Sequence, residues 1–418
     1  MIPTKCLAVL SKHKDEVWLV RFSPSGQRLA TVGKDHLLCL WSLTKQKGDR
    51  YRVRCTHEIR GHARQINALA WSTLAEADRW VVTASLDKTA KVWDARSGRL
   101  ACEVGRHQEA VTAACFLPGN DFRLMTAAVD KLVVLWELRA AGPENFEAVE
   151  IARVESRNYL DILIAGSRFV TMGQSHFQVF NLPEDGDRFK EALEEPELSY
   201  EVETSDTVTS MALTKDGKHL LLNVSFKEPR LELYNLNGGR ANLVRKYKGG
   251  HEQSMFVLRC AFGGADEAFV LCGSEDATVA IWHREKAELI ARVGTNGHNQ
   301  AVNCVSWSPC DQYLFASASD DQTVRLWGLE GAPLCEVVAD GKDIKRVDLL
   351  KAAGTYVAAE DDEDDEDEAS EKDSEEESME DEAPPRRGYP QVVMRAVRGE
   401  AIREEEDEEE EDWAGEMQ

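Results

Sequence analysis

The sequence predicts an all-β protein: seven four-stranded blades closed into a β-propeller, followed by an acidic tail. Three observations carry this. An Asp stands six residues before a Trp at the end of an apolar run five times, in Asp35/Trp41, Asp87/Trp93, Asp130/Trp136, Asp276/Trp282 and Asp321/Trp327. Four of these units carry a His 22 to 25 residues before the Asp, at His13, His62, His107 and His298. Counting two degenerate units, the 315 residues from His13 to Trp327 divide into seven stretches of 45, the period of four-stranded blades around a channel.

The elements follow in order. In the first unit, apolar runs at 17–22, 28–32 and 37–41 are separated by turn residues, with Ser23-Pro-Ser-Gly26 between the first two. Units two and three repeat the Asp and Trp spacing. The last unit shows the pattern most fully in Val302-Asn-Cys-Val-Ser-Trp-Ser-Pro309, Tyr313-Leu-Phe-Ala-Ser-Ala-Ser319 and Thr323-Val-Arg-Leu-Trp327. Three strands per unit leave the fourth, outer strand to the connection that follows. Residues 162–182 form a degenerate fourth unit in which Phe180 stands where a Trp is expected, and residues 208–236 form a fifth ending in Tyr234. In the sixth, aligning Phe262 with Trp307 puts Gln253 rather than His251 at the His position, which makes His251 a loop residue and that blade's network incomplete. Closure needs one strand borrowed across the seam, because an open ring exposes unpaired edges. Residues 6–10 or 334–338 could supply it, and the N-terminal segment is favoured because it occupies the outer-strand position just ahead of the first unit. The propeller is assigned residues 1–340 and the tail 341–418.

The spacing has a physical basis characteristic of a WD-repeat β-propeller. The Asp sits in a tight turn between two strands and orients the His of the loop leading into the blade. That His reaches a strand Ser or Thr and the Trp, and such a buried network is worthwhile only if every member is satisfied. Ser, His and Asp together resemble a hydrolase triad. A nucleophile, however, needs one base and one oxyanion pocket at one place, whereas this set recurs around the chain. No enzyme activity is expected, and no catalytic residue, metal or cofactor is assigned.

Composition separates the two regions. Residues 360–418 hold 28 acidic and 6 basic side chains, so nearly all of the net charge of −25 belongs to the tail. The runs 360–382 and 404–412 are too charged and too poor in apolar residues to form a core, and are expected to be disordered. Between them a short basic and apolar segment at 386–403 interleaves Arg386, Arg387, Arg395, Arg398 and Arg403 with Tyr389, Val392, Val393, Met394 and Val397. One reading of the tail is a solubilising brush. The other is that the Arg and Val segment docks to a partner after release from the acidic runs. Ser370, Ser374 and Ser378, each followed by acids, suit an acidophilic kinase.

Other classes are bounded quickly. Ten cysteines show no C-x-x-C pair, which argues against a zinc site and for a reducing compartment. No apolar stretch approaches the ~20 residues that cross a bilayer, and no signal peptide precedes the first strand. A cytoplasmic or nuclear location is expected. Phosphate-binding glycine motifs and the H-E-x-x-H motif are absent. A near-neutral propeller with an acidic tail argues against nucleic acid as the main ligand.

Specific strings then resemble a known family. Val9-Leu-Ser-Lys-His-Lys-Asp-Glu-Val-Trp18 with Phe22-Ser-Pro-Ser-Gly-Gln-Arg-Leu-Ala-Thr31 is similar to the first blade of the WD-repeat subunit of the GID/CTLH E3 ubiquitin ligase complex. So are Leu221-Leu-Asn-Val224, Leu243-Val-Arg-Lys-Tyr247, Cys260-Ala-Phe-Gly-Gly264 and Gly273-Ser-Glu-Asp276. The likeness covers about 320 residues, the whole propeller. It implies a non-catalytic subunit that builds the ligase into larger assemblies and presents substrates, with ligase subunits and substrates as partners. Members of that family usually carry helical LisH and CTLH segments ahead of the propeller, whereas here about ten residues precede blade one. Either the chain is a shortened member or that part is missing from it. The second reading is an acidic-tailed nuclear propeller that binds histones or other basic proteins. In a propeller the lead-in loops and the turns before the network Asp share one face, so partner recognition is expected from Lys14, Trp18, Lys34, Arg64, Asn67, Glu275, Asn303 and Asp320, with ordinary packing as the competing role for Trp18.

Overall fold

The short apolar runs become strands because β-branched and aromatic side chains on a pleated surface bury best between packed sheets. The structure is a computed structural model that describes residues 1–343 except 74–77, 106, 143–144, 156–159, 183–187, 189–190, 193–195, 203–206, 226–227, 255, 295–296 and 340–341. The expectations for the tail beyond 343, including the segment 386–403 and the three serines, lie outside the described residues.

The first strand, β1 (Lys5–Leu10), precedes the first blade. Blade one is β2 (Val17–Phe22), β3 (Arg28–Gly33), β4 (Leu37–Lys45) and β5 (Tyr51–Arg60), and blade two is β6 (Ile66–Trp71), β7 (Trp80–Ser85), β8 (Thr89–Asp94) and β9 (Arg99–Gly105). Blade three is β10 (Val111–Leu117), β11 (Asn120–Ala128), β12 (Leu132–Ala140) and β13 (Phe146–Glu155). Blade four follows with β14 (Asp161–Ala165), β15 (Arg168–Met172), β16 (His176–Asn181) and β17 (Leu198–Glu201). Blade five is β18 (Thr207–Leu213), β19 (His219–Ser225), β20 (Arg230–Asn235) and β21 (Asn242–Lys248). Blade six is β22 (Cys260–Gly263), β23 (Phe269–Gly273), β24 (Val279–His283) and β25 (Leu289–Val293). Blade seven is β26 (Val302–Trp307), β27 (Phe315–Ser319) and β28 (Val324–Gly328), completed by β1 as its outer strand.

The seam is closed as expected, by the N-terminal segment. β1 runs antiparallel to β28, pairing Val9 with Arg325 and Leu10 with Val324. The other candidate segment has a different place. After blade seven the chain crosses the seam, where the Ala332 carbonyl accepts from Lys5 Nζ (2.9 Å) and the Cys335 N–H donates to the Leu7 carbonyl (2.9 Å). It then adds β29 (Glu336–Ala339) in parallel to β5 as a fifth strand of blade one, and β30 (Lys342–Asp343) folds back on it. The ring is therefore joined by two borrowed strands, one on each side of the seam.

The core lies between neighbouring sheets. Val82, Val92 and Trp80 of blade two pack with Phe116, Val134 and Trp136 of blade three, and Leu271, Ile281 and Val279 of blade six with Val305, Phe315 and Trp327 of blade seven. The inner strands carry a bulge near their start in blades one, two, three, five and seven, at Trp18, Asn67, Thr112, Thr209 and Asn303. A bulge kinks the strand and re-aims one side chain.

Candidate functional site

Four blades contain the complete network. In blade two, His62 Nδ1 donates to Asp87 (2.8 Å), while Thr83 Oγ1 lies 2.8 Å from His62 Nε2 and accepts from Trp93 Nε1 (2.8 Å). The Nδ1–H tautomer of His62 satisfies this chain of bonds, with the Thr hydroxyl donating to Nε2. Blade one repeats it with His13, Asp35, Thr31 and Trp41, blade three with His107, Asp130, Thr126 and Trp136, and blade seven with His298, Asp321, Ser317 and Trp327. Thr31, Thr83, Thr126 and Ser317 have no solvent exposure. A hydroxyl enclosed on all sides and already accepting a Trp N–H cannot meet a substrate carbonyl, so the network acts as a clamp between loop and strands.

The Asp does a second task. Its carboxylate also accepts the backbone N–H two residues on, for example Thr89 at 3.0 Å and Leu132 at 3.0 Å, so that the intervening residue takes a left-handed conformation. Non-glycine residues hold that position in all five units: His36, Lys88, Lys131, Ala277 and Gln322, with φ between 61° and 72°. Burial pulls the pKa of Asp35, Asp87 and Asp321 up, but hydrogen bonds win. Bonds from His62 and Thr89 hold Asp87 well below the usual range, and those from His298 and Thr323 bring Asp321 to about 2.

Blade six corrects one expectation. His251, not Gln253, occupies the His position: its ring meets Trp282 edge-on at 5.7 Å, much as His62 meets Trp93 and His298 meets Trp327. The preceding glycine is diagnostic. A Cβ on Gly61, Gly250 or Gly297 would lie 2.5, 2.3 or 2.7 Å from the Trp of its blade, so only glycine fits under the indole. The lead-in loop is simply two residues longer here, which displaced the alignment from Phe262. The network is nonetheless incomplete, as expected. Cys272 stands where the other blades have Thr or Ser, Asp276 pairs with Arg292, and neither buried ring nitrogen of His251 finds a partner. Burial pushes the His251 pKa down to about 4. The loop is tied by Glu275 instead, which accepts from Ser254 N–H (2.6 Å), Ser254 Oγ (2.6 Å) and Phe256 N–H (3.1 Å).

The lead-in loops and Asp turns share one end of the strands, and there the inner strands form the mouth of the channel. The eight residues expected to bind a partner divide by burial. Lys14 and Arg64 are exposed, and Lys34, Glu275 and Asp320 are half-buried. Trp18, Asn67 and Asn303 are 1%, 3% and 0% exposed, so they shape the mouth rather than present a side chain to solvent. Trp18 Nε1 donates to Glu16 (2.9 Å), whose other oxygen accepts from Lys34 Nζ (2.9 Å). Asn303 Nδ2 donates to the Val17 carbonyl (3.1 Å) and to Asp320 (2.5 Å), joining blades seven and one. Burial, with Glu16 adding to it, raises Asp320 to about 7 against the Asn303 bond and Lys34. Arg64 and Glu275 stand apart from this cluster.

Sequence reasoning missed the pair that spans the mouth. Arg259 Nη1 reaches Asp161 (2.7 Å), and its other terminal nitrogen reaches the Asn67 carbonyl (3.4 Å), linking blades six, four and two. Asp161 begins β14 and Arg259 immediately precedes β22, close to the position that Asn303 holds in β26, and that register was the available signal.

The chain matches the WD domain, G-beta repeat family over residues 4–42, 53–94, 98–137 and 291–328. These are the four blades with complete networks. A WD repeat-containing protein 26 homolog of Arabidopsis thaliana is 31% identical over 330 residues, 79% of this chain and 51% of that protein. GID complex subunit 7 of Schizosaccharomyces pombe is 32% identical over 335 residues, 79% of this chain and 60% of that protein. A WD repeat-containing protein 26 homolog of Drosophila melanogaster is 27% identical over 322 residues, 75% of this chain and 46% of that protein. The chain thus spans about half to three-fifths of the length of these relatives.

Proposed function

The chain belongs to the WD40-repeat proteins related to WD repeat-containing protein 26 and GID complex subunit 7, and from that premise we propose that it is a non-catalytic scaffold and substrate-presenting subunit of a GID/CTLH-type E3 ubiquitin ligase complex. The observation that carries this reading is the 32% identity to GID complex subunit 7 over 335 residues, 79% of this chain. The architecture supports it: seven packed sheets, four of them clamped by complete buried networks, make a rigid platform, and a rigid platform binds with little ordering cost. Partners are proteins, in the cytoplasm, the nucleus or both, with neither nucleic acid nor a membrane as ligand. The reading as a histone-binding propeller gains no support from the relatives' names.

Affinity purification of the tagged full chain tests the assignment. RING-type ligase subunits should co-purify in stoichiometric amounts, and recovery of histones in their place would overturn it. The mouth face has its own test. Reversing charge at Lys14, Lys34 and Arg64 together should weaken the main partner without shifting the melting temperature. Because Lys34 also holds Glu16, a Lys14 and Arg64 double variant serves as the control for folding. Unchanged affinity in both would remove this face from consideration.

A further inference from the structure

The outer edge of blade five differs chemically from the rest of the rim. β21 ends its sheet, and its sequence, Asn242-Leu-Val-Arg-Lys-Tyr-Lys248, carries three cations and no carboxylate. Leu243 and Val244 are 42% and 36% exposed. Beyond the bulge at Val244, Arg245, Lys246, Tyr247 and Lys248 pair regularly with β20, and among the described residues no strand lies on their other side.

This edge is rigid. The Tyr247 hydroxyl donates to the Arg284 carbonyl (2.7 Å) and the Arg245 guanidinium to the Glu285 carbonyl (2.9 Å), both in blade six. Its charge is only partly compensated. Lys246 shares the Glu232 carboxylate with Arg230 and the Tyr234 hydroxyl, Lys248 pairs with Glu228 (2.8 Å) with both side chains exposed, where such a pair holds weakly, and no carboxylate among the described residues pairs with Arg245. Like charges on an edge strand discourage pairing with a copy of itself, so the cations disfavour a second β21 and select a strand of opposite charge.

The propeller already shows such an addition. The basic edge Arg52, Val53 and Arg54 of β5 is covered in parallel by Glu336, Val337 and Val338, with Glu336 3.5 Å from Arg52. The geometry points to β21 as a docking edge for an extended segment of a partner protein, in which acidic residues alternate with Val, Ile or Leu, added as a fifth strand of blade five. Main-chain hydrogen bonds hold such a strand, and side chains choose it. Successive side chains of the added strand point to opposite faces, so its carboxylates would meet Lys246 and Lys248 on the face away from blade six, and its apolar residues would lie beside Tyr247 and the stem of Arg245. This edge lies on the rim, away from the mouth, and does not rest on ligase membership.

The test uses the full chain and a fluorescein-labelled twelve-residue peptide alternating Glu with Val, read by anisotropy and by amide hydrogen exchange. The peptide should bind at least tenfold more tightly than its counterpart with Lys for Glu, and exchange should slow at residues 242–248. The Lys246→Gln/Lys248→Glu variant should lose at least tenfold in affinity with an unchanged melting temperature, and Lys246→Ala alone should lose less. Equal affinity for both peptides, or for the double variant, would overturn the proposal. So would protection at residues 52–60 instead, which would mean that the peptide competes with β29. Dimerisation abolished by the double variant would assign the edge to a second copy, and tighter peptide binding after removal of residues 344–418 would assign it to the chain itself.

Discussion

Asp87 and Asp276 hold the same turn position in different company, and comparing them isolates what the histidine contact contributes. Asp87→Ala strands the His62 ring N–H and the N–H groups of Ala63 and Thr89, at a cost of about 1–3 kcal/mol. Asp276→Ala removes the turn bond to Thr278 and the Arg292 pair but no histidine partner, and should cost less than half as much in urea unfolding. Equal losses would show that the His contact contributes nothing. The pH dependence has two signs. Asp35, Asp87 and Asp321 are depressed in the folded state, so their stabilisation is complete above the unfolded value of about 4 and is lost as pH falls through the folded values, about 2 for Asp321. Asp320 is raised to about 7, so it lowers stability progressively as pH rises from about 4 to 7. Asp320→Asn should therefore raise the melting temperature at pH 8 and leave it unchanged at pH 4. A gain at both values would mean that charge is not the cause. At this scale the sequence disclosed the complete networks, because four residue types recur at fixed spacing. His251 was misread because a two-residue loop insertion shifts it while the glycine under the indole stays in place.

The strand elements were legible as units, and their partners only partly so. Residues 334–338 read as a strand, yet nothing in an apolar run states which edge receives it; its partner β5, with Arg52 3.5 Å from Glu336, lies across the seam and far away in sequence. The degenerate blades replace the network with other contacts that have no fixed spacing. Phe169 stacks on Phe180 at 4.6 Å in blade four, and the Tyr234 hydroxyl meets Glu232 at 2.6 Å in blade five. The strap that follows blade seven predicts a sharp boundary in truncation. Cys335, Val337 and Val338 are 2%, 5% and 6% exposed, and burying one aliphatic side chain is worth about 1.5–3 kcal/mol at most. Ending the chain at residue 331 should therefore lower the melting temperature by several degrees, whereas ending it at 343 should match the full chain. Identical melting of both forms would make β29 an ornament of the rim.

Across the whole molecule, charge is divided unevenly between a nearly neutral propeller and the residues that follow it. The 28 acidic and 6 basic side chains of residues 360–418 cannot stabilise a sheet they would repel or leave hydrated, so removing them should not change the melting temperature. Their field should still be felt by a basic partner. Screening limits that attraction to ~8 Å at physiological salt and ~3 Å at 1 M. Deleting residues 360–418 should accordingly weaken binding of the main partner at low salt, and the difference between the two forms should vanish at high salt. Partner binding that is the same with and without the tail at both salt concentrations would reduce it to a solubilising extension. Earlier melting of the truncated form would instead make it part of the fold. The two measurements separate these roles because affinity at low salt reads charge, whereas melting reads packing.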